Sequence, residues 1–151
     1  MVAACSWSRR AVRRLSFVKL DLAEVRARVS KLELPPNDYV LFGSVPMLAH
    51  GLISAVNDID ILARGEAWAK ALELKSFERA AGGDRVIRLG NCIDIFDAWM
   101  TFDKKDILLR AQPIGGLPYA DLQDVLEFKR YLNRPKDKVH IELLEAHIAR
   151  G

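Results

Sequence analysis

Hydrophobic and polar residues along the first half of the chain follow either helical or strand spacing. Residues 21–34 place apolar side chains at helical intervals behind a possible N-cap. Residues 39–51 begin as an apolar strand, pass a Gly-Ser turn and continue as a short helix. Residues 57–63 alternate acidic and aliphatic side chains, which indicates a strand with two carboxylates on one face. Residues 66–81 then predict a helix that buries three side chains: Trp68, Leu72 and Phe77.

The second half of the chain predicts one hairpin and three helices. Gly90-Asn91 is a two-residue hairpin signal between the apolar runs 85–89 and 92–96. The predicted helices cover residues 103–112, 121–132 and 135–149, with a loop at 113–118. Because strands alternate with helices, the pattern predicts an α+β fold, a small mixed sheet with helices packed on it.

The composition narrows the class of protein without changing this picture. The 151 residues are 50% hydrophobic and 28% charged, which is typical of one globular domain. Two cysteines, Cys5 and Cys92, cannot build a disulfide framework or a zinc finger, so we expect a reducing, cytoplasmic setting. No apolar run approaches the roughly 20 residues that a membrane helix needs.

The positive charge is concentrated in the first nineteen residues. These carry five basic residues and no acid, which leaves 18 basic against 20 acidic residues in the rest of the chain. Residues 1–19 are therefore predicted to be a basic, poorly ordered extension, and residues 20–151 one domain with closing helices from about residue 121. A transit peptide, or a basic arm that contacts nucleic acid or lipid, also fits the extension.

Residues 41–62 combine features that suit phosphate and metal. Gly43 lets the backbone approach a ligand closely, and the N–H groups that start the next helix, with the Ser44 hydroxyl, can bind phosphate. Asp58 and Asp60 lie two residues apart on the predicted strand, and paired carboxylates beside phosphate oxygens are what Mg²⁺ prefers. Each feature alone is explained by a turn or an exposed strand face, but their order and spacing favour a nucleotide site.

Gly43, Ser44, Asp58 and Asp60 resemble the signature of the nucleotidyltransferase superfamily with the DNA polymerase β-type catalytic fold. That signature is Gly-Gly or Gly-Ser, a spacer, and then Asp-hydrophobic-Asp. The superfamily takes a third carboxylate from a later strand, and Asp94 stands where it is expected. The resemblance implies that Asp58, Asp60 and Asp94 are catalytic and bind two Mg²⁺ ions.

The C-terminal segment is similar to the closing helices of small stand-alone nucleotidyltransferase-like proteins, including relatives of abortive-infection toxins. Those proteins carry a Lys and an Arg-x-x-Asp-x-x-Asp segment after the acidic core. The residues that fit are Lys129, Arg134, Lys136 and Asp137. His140 stands where the second Asp is expected, a departure that bears on toxin-like activity. From the residues alone, these cations also fit a solvated helix face.

The resemblance covers about residues 39–144 and implies transfer of a nucleoside monophosphate from a nucleoside triphosphate, such as ATP, to an acceptor hydroxyl. Gly43 and Ser44 would hold the phosphates, and Lys129 or Lys136 would offset their charge. The acceptor hydroxyl would belong to an antibiotic, a tRNA end or a protein side chain, which the sequence does not distinguish, and a partner protein or a second copy of the chain could supply an acceptor domain. The alternative is a non-catalytic nucleotide- or partner-binding member of a toxin–antitoxin pair.

This reaction makes a geometric prediction. The strand that carries Asp94 must lie beside the strand of Asp58 and Asp60, with all three carboxylates on one side. We expect them to converge within about 4–7 Å to share two metal ions. They should also be partly exposed in a cleft, because burying unpaired carboxylates is costly. Asp97, three residues further on, should face away or leave the sheet.

Overall fold

The computed structural model describes residues 19–80, 83–99 and 101–151. Within these ranges the chain forms one seven-stranded mixed sheet and six α-helices, which confirms the predicted α+β class. Residues 1–18 of the predicted basic extension lie outside the described residues, as does residue 81 at the end of the predicted helix 66–81.

The sheet is built around three strands that are buried at every position. The strands are Tyr39–Phe42 (β1), Ile59–Ala63 (β2), Glu78–Arg79 (β3), Arg85–Leu89 (β4), Ile93–Phe96 (β5), Gln112–Ile114 (β6) and Leu117–Tyr119 (β7). Their order across the sheet is β3-β4-β5-β2-β1-β7-β6. β2 pairs in parallel with β5 and antiparallel with β1, and these three are the fully buried strands. Acidic residues in them are therefore unusual, since such strands are normally apolar on both faces.

Helices cover both faces of the sheet. They are Leu22–Ser30 (α1), Val45–Ala49 (α2), Gly65–Leu74 (α3), Lys104–Leu109 (α4), Leu122–Leu132 (α5) and Asp137–Ala149 (α6). Alternate residues of β1 belong to two different apolar clusters, so the clusters lie on opposite faces. Buried residues of α1 and α3 belong to one cluster, and those of α4, α5 and α6 belong to the other.

Local signals explain where most helices begin. Asp21 forms a capping box with Glu24 at the start of α1, and Asp121 accepts a hydrogen bond from the Gln123 N–H at the start of α5. Just before α1, Leu20 and Val56 exchange two backbone hydrogen bonds of 2.7 and 2.9 Å. This bridge holds the start of the described chain against the segment that leads into β2.

The predicted helix 66–81 is wrong in its second half. α3 ends at Leu74, Lys75 is extended, and two of the residues that follow form the edge strand β3. Trp68 is buried as predicted, but Leu72 and Phe77 are 37% and 38% exposed. This segment pairs with β4 through backbone hydrogen bonds, and this strand pairing outweighs the weak helical pattern of its sequence.

Both predicted turns in the second half also differ in detail. The segment 113–118, predicted as a loop, forms most of a hairpin of β6 and β7, turning at two glycines with positive φ. In the other hairpin, Leu89 pairs with Ile93, so three residues form the turn instead of two. This shift decides which side chain faces Asp94, because Arg88 becomes its partner across the pair.

Candidate functional site

A row of four side chains crosses the middle of the sheet. Phe42 on β1, Asp60 on β2, Asp94 on β5 and Arg88 on β4 are successive register partners. Paired residues of adjacent strands face the same side, which here is the side covered by α5 and α6. The prediction that Asp94 lies beside Asp60 on one face is therefore confirmed.

The predicted partial exposure of the three acids is correct for Asp58 and wrong for Asp60 and Asp94. Asp60 and Asp94 are each 1% exposed. Their burial is possible because cations lie near them: Arg88 forms an ion pair with Asp94 at 3.4 Å, and the charge of Asp60 acts on two lysines. Asp58 lies one residue before β2, is partly exposed and lines a pocket.

Position 43 requires glycine for two reasons, its backbone conformation and the closeness of Asp60. Its φ is +66°, and a Cβ at this position would lie 2.5 Å from Oδ2 of Asp60. The sequence pattern assigned this glycine to a close approach between backbone and phosphate. In the structure the close approach is to a carboxylate, so Gly43 also shapes the acidic centre.

Ser44 connects the Gly-Ser turn to the C-terminal helices. It precedes α2, but its hydroxyl makes no capping hydrogen bond. Oγ instead accepts a hydrogen bond from Nζ of Lys129 at 2.9 Å and lies 3.5 Å from Nδ1 of His140. The predicted helix after the turn is present, though with only five residues.

Lys129 is a buried cation. Its side chain is 1% exposed and its Nζ also lies 3.7 Å from Oδ1 of Asp137. Burial lowers the pKa of Lys129 to about 8, and the charges of Arg134 and Lys136 act in the same direction. Asp137 and Asp60 oppose this effect without cancelling it.

Asp137 holds the C-terminal cations in place. Arg134 donates two side-chain hydrogen bonds to its carboxylate, at 2.7 and 2.9 Å, and its backbone N–H donates a third at 3.1 Å. Burial alone would raise the pKa of Asp137, but the hydrogen bonds from Arg134 and the charge of Lys129 lower it below its usual value. Asp137 is therefore an anion at neutral pH and is largely satisfied by Arg134.

These residues line a pocket of about 250 Å³ that is rich in cations. Its charged side chains are four bases and two acids: Lys19, Lys129, Arg134, Lys136, Asp58 and Asp137. Burial, and then the charge of Arg134, lowers the pKa of Lys136, while Asp58, Asp137 and Asp60 oppose this. Positive charge is in excess, so the pocket suits an anionic ligand.

His140 also lines the pocket, opposite the Gly-Ser turn. Burial lowers the pKa of His140 to about 4, and neighbouring Lys129 and Arg134 add to the effect. The imidazole is therefore neutral at neutral pH. Where the resemblance places an acid, this chain has an uncharged group that both accepts and donates hydrogen bonds.

The structure brings some predicted site residues together and separates others. Ser44, Asp58, Lys129 and Lys136 share one pocket, while Asp60 and Asp94 lie buried in the sheet. Asp97 lies just after the end of β5, outside the strand as predicted, and it forms an ion pair with Arg85.

Sequence reasoning missed two contributors to this region. Lys19 was assigned to the extension, but the bridge between Leu20 and Val56 sets it at the pocket. A two-residue turn pairs Arg88 with Ile93, so the sequence pattern did not predict that Arg88 faces Asp94. A longer turn that includes Cys92 is the signal that would have found it.

The donor chemistry of the acids suits Mg²⁺, although they form no closed cage. Among the described residues, no group of three or more His, Cys, Asp or Glu side chains is arranged to hold a metal ion. In nucleotide enzymes, Mg²⁺ is commonly held by one or two carboxylates together with substrate phosphates. Asp58 at the pocket and Asp60 two residues further on fit that mode.

Comparison with protein-family models, with curated proteins and with solved structures finds no match to this chain. Among the described residues, none of the helices has the length and apolar character needed to cross a membrane. The function of this chain is therefore inferred from the pocket itself.

Proposed function

We propose that this protein binds a nucleoside triphosphate in the cationic pocket and transfers its nucleoside monophosphate to an acceptor hydroxyl, with release of pyrophosphate. The observation that carries the proposal is Lys129, a buried cation whose Nζ lies 2.9 Å from the hydroxyl of Ser44. Burying a cation costs stability. An anionic ligand in the cation-rich cavity would explain why a lysine is buried beside it.

The charge balance of the pocket supports a polyphosphate in particular. Asp137 is also engaged by Arg134, so it offsets only part of the charge on Lys129 and Lys136. A triphosphate would supply the missing negative charge and accept hydrogen bonds from both lysines and from Ser44. Gly43 orients this turn through its left-handed backbone.

The acids would act on the other side of the phosphates. Asp58 and Asp60 would hold Mg²⁺ that arrives with the nucleotide, and the metal would stabilise negative charge on the phosphate oxygens. Asp94 would complete the site beside the acceptor hydroxyl and help to take its proton. It is paired with Arg88, so this role requires that ion pair to loosen. Lys129 and Lys136 would offset charge that develops as pyrophosphate leaves.

One observation favours the alternative, a non-catalytic nucleotide-binding protein. Asp60 and Asp94 are each 1% exposed, and Arg88 satisfies part of the charge of Asp94. Such a protein would use the same cationic pocket without the acids. It would fit a partner-binding role in a toxin–antitoxin pair, where a second chain supplies the other half of the function.

The proposal also includes the cellular compartment and the partners of the protein. We propose that the protein acts in the cytoplasm, supported by two cysteines that cannot form a disulfide framework. Its partners would be the nucleotide and an acceptor on a small molecule, a tRNA or a protein, with a partner protein or a second copy of the chain completing the acceptor side.

Labelled-nucleotide transfer tests the proposal. The full chain is incubated with Mg²⁺, each labelled nucleoside triphosphate and one candidate acceptor at a time: RNA, a hydroxylated antibiotic or cell lysate. Nucleotide binding is measured separately. Asp58→Asn with Asp60→Asn should abolish transfer, while Asp106→Asn, an exposed acid on α4, should leave it unchanged. Full transfer by the double variant would contradict the assignment of the acids. Binding without transfer by the unmodified chain would support the alternative.

A further inference from the structure

The hydroxyl of Ser44 lies between the ammonium group of Lys129 and the imidazole of His140. Nζ of Lys129 donates to Oγ at 2.9 Å, and Nδ1 of His140 lies 3.5 Å from the same oxygen. A charged lysine has only donors, so it leaves the hydroxyl hydrogen free to point elsewhere. His140 is neutral, because its pKa is lowered to about 4, and a neutral imidazole can accept that hydrogen through Nδ1.

This arrangement has two features of an activated nucleophile, a base near the hydroxyl and a cation beside it. Nucleophilic serines have a base within hydrogen-bond reach, at distances that are often longer before substrate binds. Here the base is an imidazole and the cation beside Oγ would stabilise an alkoxide as it forms. Lys129 is held in position by Asp137, 3.7 Å away, and Asp137 is in turn held by Arg134.

The nucleophile is also accessible. Ser44, Lys129 and His140 line the pocket to which the nucleotide is assigned, together with Arg134 and Lys136. The hydroxyl makes no capping hydrogen bond to α2, so its contacts are with the pocket residues. An electrophilic phosphorus bound among these cations would lie beside a serine with a base at hand.

We propose that Ser44 is a nucleophile that is itself nucleotidylated by the bound nucleoside triphosphate, with His140 as its general base. The inference rests on the proposed function, because a nucleotide must occupy the pocket. Oγ of Ser44 forms a bond to the α-phosphorus, and the bond from that phosphorus to the bridging oxygen breaks. Pyrophosphate leaves with the electron pair, and the proton of the hydroxyl passes to Nδ1 of His140. The product is a phosphodiester that joins Ser44 to the nucleoside monophosphate.

The test is intact-mass analysis of the full chain after incubation with ATP and Mg²⁺, followed by peptide mapping. We expect a mass increase of one AMP group on Ser44 and release of one pyrophosphate for each group added. Ser44→Ala should abolish the adduct. Ser30→Ala, an exposed serine on α1, should leave it unchanged. His140→Asn should slow its formation by about 100-fold, the lower end of the contribution of a general base, because an imidazole whose pKa is about 4 is a weak base at neutral pH.

A second measurement separates this inference from the proposed function. Binding is measured with an ATP analogue that has a methylene group between the α- and β-phosphorus atoms, so no transfer occurs. Binding without any adduct on Ser44 would overturn the inference alone, whereas no binding would overturn both. An adduct with the mass of a single phosphate would contradict attack at the α-phosphorus. An adduct that forms as fast in His140→Asn would contradict the role of His140.

Discussion

Replacing Lys129 by methionine tests whether the buried cation is kept for binding at the expense of stability. The pKa of Lys129 is about 8 in the folded protein, against 10.5 as its ordinary value. At about 1.4 kcal/mol for each pH unit, this difference corresponds to roughly 3 kcal/mol of destabilisation while the lysine is charged. Methionine fills a similar volume without charge, but it loses the hydrogen bond to Ser44, which contributes about 1 kcal/mol. Because Asp137 keeps its hydrogen bonds from Arg134, we expect Lys129→Met to raise the free energy of unfolding by about 2 kcal/mol at pH 7.

The stability difference between Lys129→Met and the unmodified protein should depend on pH in a defined direction. Below pH 8 the lysine is charged in both the folded and the unfolded state, so its full cost is present. Between pH 8 and 10.5 the folded protein releases the proton while the unfolded chain keeps it, so the stability of the unmodified protein rises. The advantage of Lys129→Met should accordingly shrink over this range.

Urea unfolding at pH 7 and near pH 10 measures both effects. Lys138→Met, an exposed lysine on α6, is the matched control and should change stability by no more than about 0.5 kcal/mol. Nucleotide binding should be lost in Lys129→Met and kept in the control. The reasoning would be refuted if Lys129→Met were less stable than the unmodified protein at pH 7, or if its advantage grew with pH.

Three further predictions concern neighbouring residues. Gly43→Ala should lower the free energy of unfolding, measured in urea, by about 2–3 kcal/mol. About 1 kcal/mol comes from backbone strain, and the rest comes from a methyl group 2.5 Å from the Asp60 carboxylate. Gly90→Ala is the control: its φ is +59° but it has open space, so its free energy of unfolding should fall only by the part that backbone strain causes. The pKa of His140 is about 4 instead of 6.5, so stability should rise between these pH values as the unfolded chain holds the extra proton; a pH series in which His140→Asn shows the same rise would contradict this. Lys136→Gln should weaken nucleotide binding by about tenfold in a titration, through loss of a charged hydrogen bond, with little change in stability; unchanged affinity would place the phosphates elsewhere.

Signals that act over a few residues were predictable from the sequence. The caps at Asp21 and Asp121 mark where two helices begin, and the alternation around Asp60 and Asp94 marks two central strands. These predictions succeed because capping and strand alternation depend on near neighbours along the chain. The end of α3 was not predictable in this way, since pairing of β3 with β4 decided it.

The contacts that make the pocket depend on tertiary packing. Ser44 meets Lys129 and His140 across 85 and 96 residues of chain, and no local pattern encodes those distances. Residue types and spacing singled out Ser44, Asp58 and Asp60, and the resemblance to nucleotidyltransferases added Asp94, Lys129 and Lys136 to the same candidate set. Which of them are buried, and which share the pocket, was decided by the packing of α5 and α6 on the sheet, because burial and the field of neighbouring charges are properties of the assembled fold.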